Sequence, residues 1–161
     1  MENLKLTRID FRLIHGQVMA RWVKQFDIDH IIVIDDKTAK SPILKKIILN
    51  AAPKSIKTEV LTVQQAATRW NDNTLSDKKL LILFKDINGA LSAYDAGINY
   101  DSLQVGGIEG SGDKKNVNKN VVMSKEEMLQ LKSLNDKGVD VFIQPIPEDS
   151  CLRFPAIENK F

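Results

Sequence analysis

Short apolar runs recur along the chain and predict buried β-strands. They occupy residues 31–34, 59–61, 80–84 and 139–143. Most of these runs are continuous instead of alternating with polar residues, which is typical of strands covered on both faces. Such strands occur in parallel sheets that lie between two layers of helices.

Segments with helical spacing lie between the apolar runs. Three helices are predicted: residues 15–26, residues 42–50 with Ser41 as N-cap and Pro42 in the first turn, and a segment between Ser124 and Gly138. The first carries an apolar stripe that includes Met19 and Trp22. The third begins with the S-x-x-E pattern of a capping box, formed by Ser124 and Glu127.

Strands that alternate with helices indicate an α/β fold. We expect an open, mostly parallel twisted sheet with helices on both faces, in a single domain that comprises residues 1–161. In sheets of this kind, ligands bind beyond the carboxyl ends of the strands. The candidate loops are residues 10–16, 35–41, 85–89 and 105–120, and the glycine-rich last one is predicted to be a long flexible connection.

Composition narrows the classes of function. No apolar stretch reaches the roughly 20 residues of a membrane-spanning helix. Charges at Arg8, Asp10 and Arg12 interrupt the apolar residues near the start, so we expect no secretory signal and a cytoplasmic location. The net charge of +2, with both signs interleaved, does not suggest nucleic-acid binding. Cys151 is the only cysteine and His15 and His30 are the only histidines, so we expect no disulfide, metal site or cofactor.

The candidate site lies where the first strand ends and the first helix begins. A loop at this point presents free backbone N–H groups at the positive end of the helix dipole, which favours a phosphate. Arg8 and Arg12 add positive charge, and the imidazole of His15 is a good nucleophile near neutral pH. Asp10 is placed to hydrogen-bond one ring nitrogen of His15 and thereby decide which nitrogen is free to attack.

The same residues also allow purely structural roles, such as helix capping and ion pairing. His15 alone could cap the helix, and Arg8 and Arg12 could pair with Asp10 or with the acidic pair Asp35 and Asp36. That pair resembles the acidic residues of receiver domains, but capping of the next helix is the favoured interpretation. The remaining candidates are better explained by structure than by chemistry: Gly106 and Gly107 as a turn, and Trp22 and Trp70 as packing residues.

Residues 8–18 closely resemble the signature of the IIB component of the mannose, fructose and sorbose family of the bacterial sugar phosphotransferase system. Other parts of the chain are also similar to that family: Trp22, residues 31–35, Ala52 with Pro53, residues 81–84, residues 104–107, and Leu134 to Gly138. The resemblance covers most of the chain up to about Gln144. The residues from Pro145 onward match no family pattern and give no prediction of helices or strands.

The resemblance implies a phosphotransferase with a phosphohistidine intermediate. His15 matches the histidine that is phosphorylated at Nδ1, and Arg12 matches the arginine that assists transfer to the sugar. Asp10 orients His15, and the phosphate loop comprises Arg8, Gly16 and Gln17. The implied partners are a IIA phosphocarrier, the membrane components IIC and IID, and a sugar. Oligomeric state and the identity of the sugar stay open.

This chain departs from the family pattern at Phe11, where many members carry a second acidic residue. The loop after Gly107, with Gly110, Gly112, Lys114 and Lys115, is a candidate recognition element. Two other functions remain as alternatives. One is a regulatory module phosphorylated on His15, and the other is a histidine phosphatase-like hydrolase. The phosphatases have arginine directly before histidine, whereas Ile14 stands there in this chain.

Overall fold

Seven strands form one sheet in the computed structural model. The structure describes residues 1–119 and 121–161, but not the side chains of Gln17 and Val18. The strands of this sheet are β1 (Leu4–Asp10), β2 (His30–Ile34), β3 (Lys57–Leu61), β4 (Leu80–Phe84), β5 (Ser102–Gly107), β8 (Asp140–Ile143) and β9 (Leu152–Arg153). Their order is β3-β2-β4-β1-β5-β8-β9, and every pair is parallel except β8 with β9.

Helices cover both faces of the sheet, as predicted. They are α1 (Gly16–Phe26), α2 (Asp36–Lys40), α3 (Pro42–Ala51), α4 (Val63–Asn71), α5 (Ile87–Asp95), α6 (Lys125–Asp136) and α7 (Phe154–Glu158). Successive strand residues point to opposite faces. Ile31 therefore packs in the core beneath α1 to α3, whereas Ile32 packs in the core beneath α4 to α7. Both residues are fully buried, which explains the continuous apolar runs.

Five of the seven helices that the structure describes, α2 to α6, begin where a short polar side chain accepts a hydrogen bond from a free N–H group of the first turn. Asp35 accepts a hydrogen bond from the backbone N–H of Thr38, so the capping interpretation of this residue is confirmed. Ser41 caps α3, and Pro42 occupies its first turn. Ser124 and Glu127 form the predicted capping box of α6.

Two segments contain more regular structure than we expected. Within residues 105–120, β5 extends to Gly107 and a further strand follows, β6 (Lys115–Asn118), which pairs antiparallel with β7 (Val121–Met123). The prediction of a continuous flexible connection is therefore wrong, although Asn120 lies outside the described residues. The segment after Pro145 contributes β9 and α7, which the residue pattern did not predict.

Among the residues that the structure describes, no helix combines the length and the apolar composition that crossing a bilayer requires.

Candidate functional site

The turn after β1 is shaped by two residues with positive φ. Leu13 has φ 57°, a conformation that costs a residue with a Cβ roughly 1–2 kcal/mol, and Gly16 has φ 37°. The N–H of Leu13 donates to the carbonyl of Asp10 over 2.9 Å, which closes the turn. The side chains of Leu13 and Ile14 are buried in the core beneath α1. This burial compensates for the strained backbone and fixes His15 at the start of α1.

His15 is held by Asp10 through one ring nitrogen. Nε2 of His15 lies 3.0 Å from Oδ2 of Asp10, and the His15 side chain is 21% exposed while the Asp10 side chain is fully buried. His15 occupies the N-cap position of α1, but its side chain makes no capping hydrogen bond. The contact with Asp10 therefore leaves Nδ1 as the nitrogen available to a reaction partner.

Asp10 is an acceptor for several cationic or polar donors at once. Its Oδ1 accepts from the backbone N–H and the Nε–H of Arg12, each over 3.2 Å. Burial alone would raise the pKa of Asp10. The hydrogen bond from His15, the charge of Arg8 and the hydrogen bond from Arg12 outweigh burial, so the pKa lies below its ordinary value. Asp10 is therefore a carboxylate near neutral pH, and the Nε2–H of His15 is the donor.

Arg12 remains accessible although it contacts Asp10. Its side chain is 46% exposed, and its guanidinium lies over the ring of Phe11 at 5.5 Å from the ring centroid. The site therefore presents one partly exposed cation next to His15. Phe11 supports this cation by its ring face.

Arg8 does not lie on the surface of the loop, contrary to its prediction as a phosphate-loop residue. It belongs to β1, and its side chain is completely buried. Its guanidinium donates to Oε1 of Gln104, to the carbonyls of Gln144 and Pro145 over 3.1 and 2.9 Å, and to Oδ2 of Asp10 over 3.2 Å. Burial lowers the pKa of Arg8 to about 10, so it remains charged near neutral pH.

The buried arginine needs space that only a glycine provides. A Cβ on Gly106 would lie 2.0 Å from Cζ of Arg8, far inside van der Waals contact. Gly106 and Gly107 belong to strand β5, so their interpretation as a turn is wrong. Gly106 packs against Arg8, and Gly107 packs against Asp10. On the other side, the ring of Trp22 lies 5.4 Å from Arg8, and its indole N–H donates to the carbonyl of Pro145. The packing interpretation of Trp22 is confirmed.

Sequence reasoning missed three supporting positions: Gln104, Gln144 and Pro145. Gln104 is 1% exposed although it is polar. A polar residue between Leu103 and Val105 in an apolar run was the one local signal, because a buried amide requires a partner. The carbonyls of Gln144 and Pro145 give no such signal in a sequence.

Other predicted positions lie away from this site or are only partly described. Asp36 accepts from the backbone N–H of Val63 over 2.8 Å, so it joins α2 to α4 instead of contacting His15. Gly16 is exposed at the first turn of α1, where backbone N–H groups lack helical acceptors. The backbone of Gln17 belongs to α1, and its side chain lies outside the described part of the chain.

The second histidine is remote from the first. His30 begins β2, at the amino edge of the parallel sheet, whereas Asp10 ends β1 at the carboxyl edge. His30 is fully buried and contacts Ser76 through Nδ1 and Glu59 through Nε2. The two histidines that the phosphatase alternative would combine are therefore separated by the length of the sheet.

Solved structures share this fold over almost the whole chain. The crystal structure of manxB from Thermoanaerobacter tengcongensis superposes with a TM-score of 0.91 at 34% identity, covering 98% of this chain and 96% of that one. The fold is thus that of a known class of protein.

Sequence comparisons identify this class. The fructose-specific EIIB component of Bacillus subtilis (strain 168) is 30% identical over 98% of this chain and 96% of its own length. The mannose-specific EIIAB component of Escherichia coli (strain K12) is 28% identical over 96% of this chain, which spans about half (48%) of that longer protein. A family model described as the IIB component of the PTS system sorbose subfamily matches residues 4–160.

The chain belongs to the sorbose subfamily of IIB components of the sugar phosphotransferase system (PTS). It is therefore a phosphocarrier that transfers phosphoryl groups to sugar during uptake. The resemblance noted in residues 8–18 is confirmed, and the relatives found give no support to the regulatory or the phosphatase alternative.

Proposed function

We propose that His15 receives a phosphoryl group at Nδ1 from a IIA phosphocarrier and passes it to a sugar that enters through the membrane components IIC and IID. The observation that carries the proposal is the 3.0 Å contact between Nε2 of His15 and Asp10. This contact occupies one ring nitrogen and leaves the other as the nucleophile. The longer mannose-specific EIIAB relative supports a IIA partner, because its name joins A and B components in one protein.

In the first transfer, the lone pair of Nδ1 forms a bond to phosphorus while the bond from phosphorus to the donor histidine breaks. The ring of His15 keeps its Nε2 proton and gains positive charge as the new P–N bond forms. The buried carboxylate of Asp10 stabilises that charge. In the second transfer, a sugar hydroxyl oxygen attacks phosphorus, the P–N bond breaks, the hydroxyl proton passes to solvent, and Nδ1 recovers its lone pair.

Arg12 and the start of α1 supply positive charge for the phosphoryl oxygens. Phosphoryl transfer depends mainly on positioning and on stabilisation of the oxygens that carry negative charge. The half-exposed guanidinium of Arg12 and the N–H groups at Gly16 and Gln17 are placed for this role. Arg8 acts through Asp10, since its own side chain is buried.

Labelled phosphate tests the role of His15. With the upstream phosphate donors and a IIA protein, the wild-type chain is expected to become labelled, and His15→Ala is expected to remain unlabelled. Circular dichroism of the variant controls for its folding. Labelling that persists in a folded His15→Ala protein would contradict the proposal.

The role of Arg12 is tested separately from the first transfer. In Arg12→Gln we expect His15 to be labelled as before, while the rate of sugar phosphate formation falls by about 10²- to 10³-fold, the usual effect of removing one charge-stabilising donor. Arg21→Gln is the matched control, because Arg21 on α1 is 47% exposed compared with 46% for Arg12. Normal sugar transfer by Arg12→Gln would exclude the proposed role.

The substrate is proposed to be a hexose or an amino sugar. The names of relatives specific for fructose, mannose and N-acetylgalactosamine support this class. We place the protein at the cytoplasmic face of the membrane, beside the transporter. Membranes that contain the matching IIC and IID components, supplied with a panel of sugars, are expected to form a sugar phosphate only with members of this class.

A further inference from the structure

A basic and apolar surface lies on α2, α3 and the segment that follows them. Residues 37–58 contain six lysines and no aspartate or glutamate, although the whole chain has a net charge of only +2. The lysines are Lys37, Lys40, Lys45, Lys46, Lys54 and Lys57. We call this segment, with its exposed side chains, the lysine surface.

Large apolar side chains are exposed within the lysine surface. Ile43 is 74% exposed and Ile47 is 57% exposed, and Leu49 is 38% exposed. Ile43 and Ile47 are one helical turn apart and therefore lie on the same side of α3. A neighbouring side of α3 contributes Ile48 to the core beneath α1 to α3, so the helix is anchored while its outer face remains open.

The cations of the lysine surface are mostly without acidic partners. Among the residues that the structure describes, Lys57 is the only one of the six that forms an ion pair, over 3.5 Å with Glu59. An outer helix face with exposed aliphatic residues and flanking lysines is the pattern of a helix that lies in a lipid–water interface. Each unpaired lysine near such a surface is attracted to anionic headgroups.

We propose that the lysine surface contacts the anionic lipid surface of the membrane. Three features favour lipid over other occupants. Residues 37–58 contain no arginine and no aromatic residue, whereas protein interfaces concentrate binding energy in Trp, Tyr and Arg, and single-stranded nucleic acids stack on aromatic rings. A two-fold contact with a second copy would bring the lysines of both chains together, which is repulsive.

The topology of the sheet allows this contact without covering His15. Helix α2 begins directly after β2, and His15 follows β1. Both strands pair in parallel with β4, so they end at the same edge of the sheet. The lysine surface therefore begins at the carboxyl edge, where the site lies, and follows α3 to Lys57, which is paired with His30 at the amino edge. A membrane contact would hold His15 beside the bilayer, where a sugar leaves a transporter. The lipid contact does not depend on the proposed chemistry of His15.

Vesicle sedimentation tests the proposal with the full chain. Vesicles of equal parts phosphatidylglycerol and phosphatidylcholine are expected to bind the protein, and pure phosphatidylcholine vesicles are not. The triple variant Lys40→Gln, Lys46→Gln, Lys54→Gln should bind about 100-fold more weakly, since each lysine near an anionic surface contributes about fivefold. Ile47→Ser should weaken binding about tenfold through lost apolar burial.

Matched variants on other parts of the surface control for charge and hydrophobicity. The triple variant Lys5→Gln, Lys125→Gln, Lys160→Gln removes three exposed lysines, and Leu129→Ser removes an apolar side chain that is 50% exposed on α6. Both are expected to bind vesicles as the wild type does. If the control triple variant weakened vesicle binding as much as the first triple variant, net charge alone would explain the binding, and the proposal would be overturned.

Two further outcomes would also overturn it. If Ile47→Ser left vesicle binding unchanged but slowed phosphorylation by IIA, the lysine surface would be a protein docking site. If Ile43→Ser converted a dimer into a monomer, the surface would be an interface between copies. The lipid proposal predicts normal phosphorylation of both variants in solution, so its failure is distinguishable from failure of the His15 proposal.

Discussion

Asp10 accepts hydrogen bonds from His15, Arg8 and Arg12 with only two carboxylate oxygens. Arg8 is the buried counterion that keeps Asp10 charged, and Arg12 is the partly exposed one. Because the buried pair is enclosed by β5 and by the carbonyls after β8, the carboxylate has little freedom to turn away from His15. In the mechanism proposed above, the position of this carboxylate decides which nitrogen of His15 can react.

A substitution at Gly106 tests how tightly the buried pair of Arg8 and Asp10 is enclosed. In Gly106→Ala the new methyl group meets the guanidinium of Arg8, which several hydrogen bonds hold in place. We expect the free energy of unfolding, measured by urea denaturation, to fall by about 1–3 kcal/mol, as is usual for overpacking. Phosphorylation of His15 should also become slower, since Arg8 can move only by disturbing Asp10.

Gly110→Ala is the control for that substitution. Its added Cβ would make ordinary contact with Val122 at 3.4 Å. A Gly106→Ala protein as stable as Gly110→Ala would show that Arg8 adjusts without cost, and the enclosure would then be looser than described.

At the scale of helices and strands, an element is predictable from the sequence when the residues that determine it are neighbours in the chain. The capping box at Ser124 and the N-cap at Ser41 lie within one turn of the N–H groups that they satisfy, so the sequence predicts both helices. The turn before α1 was predicted for the same reason. The chemistry proposed for it rests on Asp10, Arg12 and His15, which are neighbours in the chain.

Elements that depend on distant partners were not predictable. Strand β9 has two residues and exists because it pairs with β8. Arg8 was assigned to the phosphate loop because its buried partners, Gln104 and Pro145, are 96 and 137 positions away in the chain. No pattern in a single sequence shows that a charged residue near a loop lies inside the protein, held by such partners.

Phe154 shows how the segment after β9 is attached. This residue begins α7, is 2% exposed and packs in the core beneath α4 to α7. Phe154→Ala is expected to lower the free energy of unfolding by about 3–5 kcal/mol, because it removes a large buried ring and leaves a cavity. Ala156→Ser, at an exposed position of the same helix, should change it little. A small effect of Phe154→Ala would mean that α7 contributes little to the core.

At the scale of the whole molecule, charged clusters lie at opposite edges of the sheet. The carboxyl edge carries Asp10 and His15, and the amino edge carries His30 with Glu59 and Arg69. Burial lowers the pKa of His30 below its ordinary value of 6.5. Burial raises the pKa of Glu59, but the hydrogen bond and charge of Arg69, with His30, outweigh it and bring the pKa to about 2.

These shifts predict the course of acid unfolding. A group whose pKa is lower in the folded state stabilises the fold above its unfolded pKa, and the contribution is lost as pH falls. The loss from His30 begins below pH 6.5, and the loss from Glu59 occurs between pH 4.5 and about 2. Because Glu59 is partly exposed, we expect its contribution to be about 1 kcal/mol.

Urea denaturation at several pH values measures this contribution. Glu59→Gln should be less stable than the wild type at neutral pH by about 1 kcal/mol, and the difference should vanish near pH 2. The exposed Glu126 on α6 offers a control, Glu126→Gln, that should leave the curve nearly unchanged. A Glu59→Gln difference that stays constant across this pH range would show that the ion pair with Arg69 is not its cause.

In the proposed mechanism, Asp10 holds Nε2 of His15 and so directs phosphate to Nδ1. Nuclear magnetic resonance that correlates ³¹P with the ¹⁵N-labelled imidazole, recorded on the phosphorylated wild-type protein, tests it most directly. Coupling of phosphorus to Nδ1 of His15 is the predicted result. Coupling to Nε2, or phosphate on any other residue, would contradict the account.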